Sequence, residues 1–188
     1  MLIWPRRPLR LAPTGAPRPT LSPVTAPDYR SEDTLIGSER AQLLAFVHDN
    51  RLEIAGLLDG LTEEQARARL VPSATTLLGI VKHCVFVEKV WFHVSLAGRS
   101  RAEVAIPEAA EDSWLLEDTD TVESVTSAYR AAWAEADELA APYDLDDLAV
   151  HNRRGPLTLR WIYVHMVEEL ARHAGHGDIL REQVLAAG

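Results

Sequence analysis

At 188 residues the chain is long enough for one domain with a sizeable core, and 47% hydrophobic with 25% charged residues marks a globular protein, not a disordered or fibrous one. A net charge of −9 argues against nucleic acid as a partner, and no run approaches the eighteen uninterrupted apolar residues that would suggest a membrane span. The single cysteine, Cys84, excludes an internal disulfide framework and fits a reducing, cytoplasmic setting.

Residues 1–34 hold seven of the eleven prolines: Pro5, Pro8, Pro13, Pro17, Pro19, Pro23 and Pro27. Proline fixes φ and removes a backbone donor, so this density forbids a helix or a central strand. The expectation is a Pro-rich arm, disordered or loosely docked. Residues 1–30 carry five arginines against Asp28, a local +4 that leaves −13 for the rest. The prolines also interrupt any apolar core of a secretory signal, so none is expected. Pro72, Pro107, Pro142 and Pro156 fall between segments of helical period, so residues 35–188 read as one domain.

Ser38 is a candidate N-cap for a first helix with the apolar stripe Leu43, Leu44, Val47, Leu52, Ile54, Leu57 and Leu58, ended by Gly60. Thr62 and Gln65 have the spacing of a capping box over a short turn. A second long helix is expected from about Thr75 to Ala97, ended by Gly98. Residues 99–118 show no sustained period, and a connection of that length inside a compact domain usually signals function or partial order. Asp120 and Thr121 open a third helix that ends near Pro142. Residues 143–156 read as a loop, no alternating strand run is evident, and Leu157–Gln183 forms the last helix. Four long helices with no strands predict an all-α four-helix bundle.

The last helix carries the chemistry. His165, Glu169, His173 and His176 fall within an arc of roughly 80°. Glu169 and His173, four residues apart, lie about 5–6 Å from each other at Cβ, close enough to share one cation. Trp161, Ile162, Val164, Val167, Leu170, Ile179 and Leu180 predict that the same helix is buried. On the second helix His83 shares a face with Thr76, Ile80, Val87 and Trp91, where it is the only ionisable group. A lone buried histidine is ordinarily a hydrogen-bonded core residue, and a Glu-x-x-x-His pair is often a plain surface pair. Together His83, Glu169 and His173 make a three-ligand set that leaves a coordination position open, as in catalytic zinc sites. Glu88, about 140° around the helix from His83, reads as a structural partner for an arginine, and Cys84 as a small buried filler. A pocket between the second and last helices is expected to be lined by Trp91, Trp161 and His165.

The segments KHCVFVEKVWFHVSLAG and WIYVHMVEELARHAGHGDILRE resemble the DinB/YfiT-like metal-binding four-helix bundles, in a branch related to mycothiol-dependent maleylpyruvate isomerase. The resemblance covers roughly residues 38–184. It implies one metal ligand from the second helix and two, spaced by four, from the last, which carry over to His83, Glu169 and His173. The commoner pattern has histidine where Glu169 stands, and the isomerase-like branch has glutamate. The implied cofactor is a divalent metal, Zn²⁺ or Ni²⁺ by imidazole content, with Fe²⁺ or Mn²⁺ as further candidates. The implied activity is transfer of a low-molecular-weight thiol, mycothiol or bacillithiol, onto a small electrophile, or an isomerisation. The alternative is a metal-binding bundle without turnover, with a binding or stress-response role. His165 and His176 flank the ligand pair as groups that could steady a ligand, donate a proton to substrate or substitute as a ligand. Arg172, Asp178 and Arg181 are expected to form a charge set at the end of the helix, and the resemblance suggests a homodimer.

Overall fold

The computed structural model describes residues 30–187, so the proline-rich stretch 1–29 lies outside the described residues. The described chain begins with a 3-10 turn, Ser31–Thr34, that docks on the first helix. Arg30 Nε lies 2.6 Å from Asp49 Oδ1, and the Ser31 amide donates to the same carboxylate.

Hydroxyl caps set the helix starts. Ser38 accepts from the Ala41 amide and opens α1, Glu39–Gly56. Thr62 and Gln65 cap each other reciprocally at the one-turn α2, Glu63–Arg67. Thr76 accepts from the Gly79 amide at the start of α3, Leu77–Glu88; Thr121 opens α4, Val122–Ala140; and Thr158 opens α5, Leu159–Ala186. Each cap satisfies one amide that the first turn leaves without a helical partner.

Two local features differ from the sequence expectation. The second long helix is not uniform: α3 passes into a π-helical segment, Lys89–Leu96, closed by Gly98 at φ +73°. A Cβ on Gly98 would stand 2.7 Å from Nε2 of His151, so the side-chain-free position is what lets His151 lie across the end of this helix. A π turn shifts the register by one residue, too little to disturb a hydrophobic period. The stretch 143–156, expected as a loop, contains β1 (Leu148–Ala149), which pairs antiparallel with β2 (Leu157–Thr158); both are two residues long, too short to show alternation.

α1 packs along α5 and α3 along α4, with α3 also meeting α5, so the fold is an all-α four-helix bundle. Its interior is largely apolar, and among the buried polar groups is one ion cluster. Arg51 of α1 makes a two-pronged contact with Glu88 of α3, each arm 2.8 Å, and a third bond of 2.7 Å to Asp137 of α4. Arg51 is 1% exposed and Glu88 fully buried. Three helices are thus pinned at one level, and Arg51 is the partner expected for Glu88. Cys84 is buried beside them as a free thiol.

α5 is less buried than its apolar content suggests. Ile162, Tyr163, Met166, Leu170, His173 and Leu180 face the interior, while Trp161, Val164 and Ile179 are exposed. The two sets lie on opposite sides of the helix. Only one side meets α1 and α3. No helix among the described residues is long and apolar enough to cross a membrane.

Candidate metal centre

α3 and α5 face each other where His83 looks across at Glu169 and His173. One donor atom from each of the three lies within 4.8 Å of the others. Glu169 Oε1 is the hub, 3.2 Å from Nε2 of His173 and 3.9 Å from Nε2 of His83. Tetrahedral bonds of about 2.0–2.1 Å place neighbouring ligand atoms roughly 3.4 Å apart, close to both separations.

The protonation of His83 is fixed from outside the pair of helices. Its Nδ1 lies 2.7 Å from Oγ of Ser113, which sits in a 3-10 turn, Ala110–Trp114, on the connection between the π segment and α4. Ser113 donates its only hydroxyl proton to the Ala110 carbonyl at 2.5 Å. The serine oxygen therefore accepts from Nδ1–H of His83, and Nε2 is left as a bare lone pair. That lone pair points toward a carboxylate oxygen with no proton between them, an arrangement that suits a cation. Nδ1 of His173 is buried without a hydrogen-bond partner among the described residues. The donor set fits a divalent ion.

The electrostatics agree. Hydrogen bonding from His173, with the His83 imidazole close by, holds the Glu169 carboxyl well below the usual carboxylate range, and its second oxygen lies 3.5 Å from Arg172. Burial pushes His83 below its ordinary value, so its ring is neutral at pH 7 and available as a ligand. Trp114 covers both histidines, stacked on His83 at 4.0 Å between ring centroids and edge-on to His173 at 5.2 Å.

His83 and Glu169 border a cleft of about 720 Å³ whose wall also includes Trp91, His165, Arg101 and Arg154. That volume lies within the range of small-molecule sites. The π segment supplies Trp91 to this wall and turns His93 inward, where it is buried.

The flanking histidines part company. His165 borders the cleft, its ring stacked on Trp161 at 5.0 Å and edge-on to Trp91 at 4.6 Å. Burial lowers its pKa, leaving it neutral at pH 7. Trp161 stands behind His165, 41% exposed, and does not border the cleft. His176 is exposed and borders a separate groove with Val71 and Ile179. The expected charge set at the end of α5 does not form: Arg172 pairs with Glu168 and Glu169, and Arg181 donates to the carbonyls of Leu57 and Asp59.

Sequence reasoning did not find Ser113, Trp114 or the arginines of the cleft. The one available signal was the length of the 99–118 connection, which folds over His83.

No curated protein and no solved structure matches the chain. A family model described as Mycothiol-S-transferase matches residues 42–186, a span that contains α3, the covering loop and α5. With that match over most of its length, the chain belongs to the mycothiol-S-transferase family.

Proposed function

We propose that His83, Glu169 and His173 hold one divalent transition metal, and that the protein transfers the sulfur of a low-molecular-weight thiol to a small electrophile in the adjoining cleft. The observation that carries this reading is the bare Nε2 of His83 set 3.9 Å from the ionised Glu169, at the edge of a cleft large enough for a substrate. Two imidazoles and a carboxylate suit Zn²⁺ or Ni²⁺ and admit Fe²⁺ or Mn²⁺. A bound ion of this kind supplies Lewis acidity that lowers the pKa of a coordinated thiol toward neutrality.

The chain's own residues do the rest. Ser113 keeps His83 in the tautomer that presents Nε2, and Glu169 stays anionic beside the metal it would help to hold, with Arg172 3.5 Å from its second oxygen. Trp114 keeps water from the two imidazoles, which strengthens electrostatic interactions among them. His165, neutral on the cleft wall, takes the thiol proton. The thiolate sulfur forms a bond to the electrophilic carbon. In a substitution the leaving group departs with its electron pair and takes the proton from His165; in an addition the pair moves to the neighbouring atom, which takes that proton instead.

Mycothiol is the thiol to test first, as the family description suggests, and bacillithiol second. The Co²⁺-substituted protein titrated with mycothiol is expected to develop a sulfur-to-cobalt charge-transfer band, and incubation with an electrophile panel to yield an S-conjugate by mass spectrometry. A spectrum indifferent to millimolar thiol, with no conjugate, removes the transferase reading and leaves a metal-binding bundle without turnover.

A further inference from the structure

The cleft carries a cationic feature that metal and thiol do not use. Three guanidinium groups border it: Arg101, Arg153 and Arg154. Arg101 is already committed, donating to the Pro107 carbonyl at 2.7 Å, lying over Phe86 and standing 3.9 Å from Glu108. Arg153 and Arg154, on the loop between β1 and β2, have no carboxylate within ion-pair distance among the described residues. The body of the protein is strongly acidic, and these two adjacent, exposed arginines place positive charge without an acidic partner at the border of the cleft that also holds His83 and Glu169.

Their placement is directed. The Arg154 guanidinium lies over the ring of Trp91 at 5.5 Å, and Trp91 meets His165 at 4.6 Å, one helical turn from Glu169. Stacking on an indole holds a guanidinium flat and leaves its edge donors free. Those donors match the two oxygens of a carboxylate.

We propose that Arg153 and Arg154 form a carboxylate subsite, so that the cleft selects a ligand bearing a carboxylate group. The subsite rests on the reading that this cleft is where substrates bind. Glu108 and Glu111 also border the cleft and restrict the anion to the arginine side. Either substrate could carry the carboxylate, the electrophile or the thiol.

Matched probes separate these cases. Trp91 lies under Arg154, so tryptophan fluorescence of the full-length, metal-loaded protein reports binding. Cinnamate against cinnamamide tests the acceptor, and N-acetylcysteine against its methyl ester tests the thiol. In at least one pair the acid is expected to bind about tenfold more tightly than its neutral partner, as a charge-assisted pair at a half-open site would give. The preference should fall below about twofold in the Arg153→Gln/Arg154→Gln variant and persist in Arg130→Gln, whose guanidinium lies over Trp133 on α4. The pair that responds identifies the source of the carboxylate. No acid preference in either pair overturns the subsite. So does a preference that survives the double arginine variant and disappears in His173→Ala, because the metal would then be holding the acid. Failure of thiol transfer with the arginine-dependent preference intact would count against the transferase reading alone.

Discussion

The Ser113 hydroxyl accepts from Nδ1–H of His83 across thirty residues of sequence, and it does so because its own proton is spent on the Ala110 carbonyl. Removing that acceptor frees His83 to take either tautomer. Ser113→Ala is expected to weaken metal binding by about 10–100-fold, the usual cost of losing such a partner. Ser113→Thr, which keeps the hydroxyl, should stay within a few-fold of the parent. Competition against a chromophoric chelator measures both, and equal affinities in all three proteins would show that the tautomer is not held from this loop.

Arg51 and Glu88 present a different balance. Both are buried, and each satisfies the other with Asp137 as the third member. Arg51→Met leaves the Glu88 carboxylate buried without its cation and should cost about 3–5 kcal/mol in urea unfolding. The double variant Arg51→Met/Glu88→Leu should recover most of that loss, since it removes the stranded charge. A double variant as unstable as the single one would mean that the cluster contributes net stability instead of specifying how the helices align.

A pH dependence follows from His93, which lies well away from the triad. Burial pushes its pKa below the ordinary value, outweighing Glu135, whose carboxylate stands 3.6 Å from Nε2, while Arg99 and Lys89 add to the lowering. The unfolded chain therefore takes up this proton first as pH falls. Stability from the neutral ring is present above about pH 6.5 and declines as pH drops through the folded value. Thermal melts of the parent from pH 8 to pH 5 should fall more steeply than those of His93→Gln. Parallel curves would remove His93 as a source of acid sensitivity.

The caps at Ser38, Thr62 and Thr121, the four long helices and the Glu169–His173 pair were legible because each rests on local spacing along a helix, and His83 was joined to that pair by its lone place on an apolar face and by the family resemblance. What was missed depends on contacts between distant segments. Ser113 and Trp114 reach His83 only because a loop without periodicity folds back over α3, and Arg154 meets Trp91 only across the bundle. The π segment escaped because a one-residue slip leaves the apolar pattern nearly intact. Trp161, Val164 and Ile179 were expected inside because composition reports apolarity, not which side of a helix has a neighbour.

The most direct measurement is metal content. Protein purified without an affinity tag, loaded with Zn²⁺ and dialysed, should hold about one ion per chain, and His83→Ala, Glu169→Ala and His173→Ala should each lose most of it while circular dichroism still reports a folded bundle. Full stoichiometric metal retained in all three folded variants would contradict the assignment of His83, Glu169 and His173 as the metal centre.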